Sequence, residues 1–76
     1  MELNTFIKNF ADQFDETDIS QFTKTTNYSN LDEWSSLQAL SIIAMADSEY
    51  NVKVKGDDIL AAQTIEDLYN IVKSRL

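Results

Sequence analysis

The chain has 76 residues, thirteen acidic against six basic side chains, a net charge of −7, and neither histidine nor cysteine. A chain this short supports one modest core; the missing residues remove the usual proton shuttle near neutral pH, the thiol nucleophile, the commonest zinc ligands and any disulfide. The acids run from Glu2 to Asp67 with no cluster of Lys or Arg, which argues against nucleic acid or an anionic membrane as partner and favours a basic protein surface.

The opening run MELNTFIKNF carries an acid at its second residue, unlike the basic-then-apolar layout of a secretory leader, and the longest apolar run, Ile42 to Ala46, is far too short to span a bilayer. The expected location is the cytoplasm. Proline is absent and Gly56 is the only glycine, which leaves no Pro-rich linker and no Gly-rich phosphate loop. Capping residues must therefore punctuate the chain.

Leu3, Phe6, Ile7, Phe10, Ala11 and Phe14 recur at helical spacing and predict a first helix from about Glu2 to Phe14. From Asp15 to Glu33 the pattern breaks, leaving Ile19, Phe22, Tyr28 and Leu31 as isolated apolar pins in a connection long enough to be functional or partly helical. A second helix starts at the serine pair and runs to about Tyr50, where Asn51 can take the left-handed conformation that ends a helix. Its apolar arc is broad: Leu37, Ala39, Leu40, Ile42, Ile43, Ala44, Ala46 and Tyr50 leave a narrow strip of Gln38, Ser41, Met45 and Ser48. A helix clothed this widely is expected at the centre, packed by several neighbours. The alternation of Val52 to Lys55 has no partner strand and reads as an extended connector. After Gly56, Asp57 can cap a short helix with Ile59 and Leu60, and Thr64 with Asp67 opens a last helix through Leu76. The expected fold is all-α, a small helical bundle of three main helices plus one short helix with a long first loop, residues 1–76 forming a single domain.

The serine pair has two separable readings. Ser35 with Gln38 forms a capping box, and Trp34 with Ala39 is placed like a hydrophobic staple. Ser36 is then the first residue inside the helix, where capping needs no hydroxyl and free backbone N–H groups at the positive end of the dipole favour an anion. The acid pairs Asp32-Glu33 and Asp57-Asp58, next to helix starts, read as complements to the dipole rather than metal ligands or catalytic groups, and no metal site is expected. Phe6, Phe10 and Phe14 read as core, with no basic residues interleaved for stacking on bases.

The run Glu33-Trp34-Ser35-Ser36-Leu37, the wide apolar helix after it, Tyr50-Asn51-Val52-Lys53-Val54, and Thr64-Ile65-Glu66-Asp67-Leu68 together resemble an acyl carrier protein. The family shows a D-S-L motif opening its second helix, an aromatic-G-I/V segment closing it, and a T-hydrophobic-acid-acid-hydrophobic start to the last helix. The resemblance covers the chain from about Leu31 onward; the first helix agrees only in length and amphipathicity. It implies that Ser36 receives a covalent 4′-phosphopantetheine arm from coenzyme A through a separate phosphopantetheinyl transferase. Acyl intermediates would ride on that arm as thioesters, presented to acyl-loading and acyl-processing enzymes by a monomeric carrier with no catalytic activity of its own. The strip Leu37, Gln38, Ser41, Met45 and Ser48 is the expected partner-docking face. Ser35 departs from the family's usual Asp, and the strip is poorer in acids than is common in the family, which suggests a specialised lipid or secondary-metabolite pathway. Fatty acyl, hydroxyacyl, aminoacyl and polyketide cargoes all fit the same thioester. The alternative is an acidic helical adaptor that binds a basic protein and is never modified.

Overall fold

Phe6, Phe10 and Phe14 all reach the interior, at 0%, 0% and 7% exposure, and the stripe they draw sets the first helix of the computed structural model, which describes every residue from Met1 to Leu76. That helix, α1, spans Leu3–Ala11, shorter than its periodicity suggests. The chain tightens into turns through Gln13 and Phe14, whose N–H groups bond Phe10 O and Ala11 O, so Phe14 keeps its place in the core from outside the helix.

The remaining helices are α2 (Ser36–Tyr50), α3 (Gly56–Ala61) and α4 (Ile65–Ser74), with short 3-10 turns at Ile19–Gln21 and Tyr28–Asn30 inside the long first loop. This is the all-α bundle of three main helices and one short helix that the sequence predicts. Sixteen buried residues form one hydrophobic cluster, and no polar or charged residue is buried. One end of it is aromatic: Phe14 meets Phe22 at 5.0 Å between ring centroids, Phe10 meets Tyr28 at 5.6 Å, and Tyr28 meets Trp34 at 4.9 Å.

The first loop is held by more than its rings. Tyr28 donates its hydroxyl proton to Ile59 O at 2.6 Å and Ala62 O at 3.0 Å, satisfying carbonyls that the end of α3 leaves without partners. Burial first, and the nearby charge of Asp67 second, push the Tyr28 phenol up to about 12, so it remains a donor. Ile65 N–H and Glu66 N–H donate to Thr26 O and Lys24 O, and Asn27 pairs with Thr64 in an isolated antiparallel bridge. Phe22 and Tyr28 are the pins that hold; Ile19 is 65% exposed and pins nothing.

The end of α2 and the start of α4 follow the expected chemistry. Asn51 adopts φ 55 and ψ 37, and Val52 N–H reaches back to Ala46 O. Val52 and Val54 then run extended into the core. Thr64 and Asp67 form the predicted capping box. The start of α3 differs: Asp57 lies inside the helix, and Asp58 accepts the Lys55 N–H at 2.9 Å. Asp58 also takes a two-pronged bond from Arg75, at 2.7 and 2.8 Å, so the last residues of the chain are latched to α3. Arg75 first, then the Lys55 N–H, lower the Asp58 carboxyl to about 2.

Candidate functional site

The segment entering α2 is fixed on two sides. On the apolar side Trp34 packs on Tyr28 and stacks near Phe14 at 6.3 Å, while its N–H closes a turn on Leu31 O. On the polar side the Glu33 carboxylate accepts from Asp15 N–H at 2.9 Å, Glu16 N–H at 3.0 Å, the Thr17 hydroxyl at 2.7 Å and the Gln38 amide at 3.3 Å. These bonds, the one from Thr17 foremost, hold its carboxyl below the ordinary value. Glu33 is therefore not a complement to the α2 dipole, because consecutive N–H groups of the first loop capture it first.

Ser35 is extended, at φ −158 and ψ 175, and its Oγ accepts from Gln38 N–H at 3.4 Å. The reciprocal half of the expected capping box is absent: the Gln38 side chain turns to Glu33 instead of returning to Ser35. Ser36 begins the helix, exposed, with a hydroxyl free of hydrogen bonds. Neither its N–H nor that of Leu37 meets an acceptor in the protein.

The expected docking strip is brought together only in part. Leu37 is 74% exposed, and Ser41 and Ser48 lie half-exposed and exposed on the same face. Met45 does not: it is 4% exposed and belongs to the core. Gln38 is half-buried against Glu33, with Oε1 shielded and unpartnered. The cause is the position of α1, which flanks α2 on the Met45 side; Asn9 donates to the Tyr50 hydroxyl at 2.9 Å, and Asn9, Asp12 and Gln13 face Met45 across a shallow groove.

In place of Met45 and Gln38, the outer face carries Leu40, 61% exposed, and Ala44. At about 100° per residue the exposed stripe Leu37, Leu40, Ala44, Ser48 is turned by roughly 60° from the expected one. Leu60 of α3, 83% exposed, rims a cleft also lined by Trp34, Tyr28 and Gln63, on the same side as the α2 start. Composition hides Leu40, since both flanks of α2 are apolar; Leu60 has a weak signal, because adjacent residues on a short helix cannot both face one core.

An exposed serine at the head of the second helix, free N–H groups beside it and leucines facing outward describe a small carrier-type bundle. A profile of the phosphopantetheine attachment site matches residues 4–72, and the chain belongs to that family. It is thus a phosphopantetheine-carrying protein, the arm held covalently, and carrier domains of this kind are generally non-catalytic and work with modifying and acyl-processing enzymes. No curated protein and no solved structure gives a significant match.

The residues present fit such a group. A phosphodiester on Ser36 would meet two free N–H groups and the positive end of the dipole, and the nearest upstream acid, Glu33, keeps its charge but has both oxygens engaged by four donors. No helix is long and apolar enough to cross a membrane.

Proposed function

We propose that Ser36 is the attachment point and that the chain carries acyl intermediates between enzymes of a specialised lipid or secondary-metabolite pathway. The observation that carries this reading is the free, exposed Ser36 hydroxyl beside unpaired backbone donors, next to a serine already used as a cap. In the transfer step the Ser36 oxygen gains a bond to the phosphorus bearing pantetheine, loses its proton, and the nucleotide part of coenzyme A leaves. When bound, the arm supplies a terminal thiol on which acyl groups are held as thioesters.

The protein's own share is binding and orientation. The first turn of α2 stabilises the phosphodiester charge, and the tether raises the effective concentration of cargo at each partner enzyme. Leu37, Leu40, Ala44 and Ser48, with Ser41 at the edge, form the docking face. Only Asp47 and Glu49 are acidic along α2, and Asp47 is paired with Lys53 at 2.9 Å, so the centre of that contact is apolar. A phosphopantetheinyl transferase is the first partner to meet it; acyl-loading and acyl-processing enzymes follow.

Intact mass after incubation with coenzyme A and a broad-range transferase tests the assignment. One arm is expected on the native chain and on Ser35→Ala, and none on Ser36→Ala. An arm retained on Ser36→Ala overturns the site, and a native chain that never gains mass supports the unmodified adaptor instead.

A further inference from the structure

We infer that Glu33 is a positioning residue for the modification of Ser36, clasping the first turn of α2 to the Asp15–Thr17 turn so that the serine hydroxyl is presented in one place; this rests on the reading of Ser36 as the attachment point. Both carboxylate oxygens are engaged. Oε1 accepts from Glu16 N–H and the Thr17 hydroxyl, Oε2 from Asp15 N–H and the Gln38 amide. Three donors thus come from a turn at least sixteen residues upstream and one from the helical turn that holds Ser36.

The turn has few other polar anchors. Ser36 itself makes no side-chain bond and Gln38 does not close the capping box, so the polar ties of this turn are the Ser35 cap at 3.4 Å and the Glu33–Gln38 bond at 3.3 Å. On the hydrophobic side Trp34 holds the entry by ring packing. The Glu33–Gln38 bond adds a polar tie on the first turn of the helix. It joins α2 directly to the first loop, and that loop is bonded in turn to the start of α4.

A transferase must align the serine oxygen with a phosphorus atom, and small misplacements of a reacting group are costly. A clasp of this kind acts on the chemical step, whereas the leucines of α2 act on docking. The distinction is measurable in the steady-state parameters of arm transfer, with carrier as the varied substrate.

The experiment compares the native chain with Glu33→Ala, Glu33→Gln, Gln38→Ala and Thr17→Val, using coenzyme A and a broad-range transferase, with a thermal melt of each. Glu33→Ala and Gln38→Ala should lower kcat about tenfold and leave KM within about twofold. Glu33→Gln should recover only part of the loss: the Gln38 amide can turn over and offer its unpartnered Oε1 to the new NH2, but Asp15 N–H loses its acceptor. Thr17→Val removes the 2.7 Å bond on the loop side only; it should lower Tm yet keep kcat within about twofold. Amide exchange gives a second readout: Ala39 N–H, the first in α2 bonded to a backbone carbonyl, should exchange faster in Glu33→Ala while Leu68 N–H in α4 does not. Unchanged kcat in folded Glu33→Ala overturns the proposal, as does a loss in Glu33→Ala carried by KM alone. Should Glu33→Ala fail to fold, Gln38→Ala decides by the same criteria. An error in the Ser36 assignment appears separately, as an arm on Ser36→Ala.

Discussion

Met45 and Leu40 are the residues on which the inside and outside of α2 can be separated. Met45 is 4% exposed and Leu40 is 61% exposed, so truncating each to alanine probes opposite flanks of one helix. Buried Met→Ala changes cost about 2–5 kcal/mol. The shallow groove of Asn9, Asp12 and Gln13 beside Met45 lets the site relax, which favours the lower part of that range, about 2–3 kcal/mol. A chain of 76 residues has about 4–11 kcal/mol of total stability at typical per-residue values. The loss therefore lowers Tm by about 8–24 °C, at about 4–8 °C per kcal/mol for a domain of this size. Leu40→Ala, on the exposed flank, should stay within about 0.5 kcal/mol of the native chain and instead weaken transferase binding by about 1–2 kcal/mol, roughly five- to thirtyfold in Kd. Thermal melts followed by circular dichroism give the first quantity, and titration calorimetry with an inactive transferase gives the second. A Met45→Ala melt within about 3 °C of native would refute the burial argument. Unchanged affinity in the Leu37→Ala, Leu40→Ala double variant would remove this face from docking.

Tyr28→Phe keeps the ring and deletes the proton shared by Ile59 O and Ala62 O; leaving those buried acceptors unpaired should cost about 1–3 kcal/mol, read as a lower urea midpoint with an unchanged slope. Ser35→Ala should cost up to about 1 kcal/mol and Ser35→Asp no more than about 0.5 kcal/mol, since Ser and Asp are comparable N-caps; melts check both, and faster arm transfer to Ser35→Asp at scarce magnesium would show that a carboxylate before Ser36 helps that hard cation. Glu33, Asp58 and Asp67 all have lowered folded-state pKa values, so their stabilisation is complete above the unfolded values of 4.5 for Glu and 3.8 for Asp and is lost as pH falls through the folded ones. Tm should thus hold level down to about pH 5 and then decline, with Asp58→Asn removing the portion lost between pH 3.8 and about 2.

The sequence is most legible where one residue type does one job. The Phe6, Phe10, Phe14 stripe, the Thr64–Asp67 box and the left-handed Asn51 were all readable because each depends on neighbours within one or two helical turns. The rotation of α2 was not. Its two flanks are equally apolar, so periodicity carries little phase information, and the choice between Met45 and Leu40 is made by α1 docking on one side. Glu33 was misread for a related reason: its partners Asp15, Glu16 and Thr17 are brought to it by the fold of the loop, and local spacing points to the nearer helix start instead. In the same way Asp58, not Asp57, secures α3, because Arg75 at the far end of the chain selects it.

A helix that is apolar on both flanks raises a question of solubility that the charge distribution answers. Leu37, Leu40 and Leu60 would make a patch prone to self-association on a neutral surface. Here they sit on a chain of net charge −7, with thirteen acidic against six basic side chains. Two copies meeting through their leucines would bring two strongly acidic chains together, and like-charge repulsion opposes the encounter. A partner with an apolar groove and a basic rim gains both contributions at once. Docking should then depend on salt through its rate of association, set by the rim, and on Leu37 and Leu40 through its rate of dissociation, set by the desolvated centre.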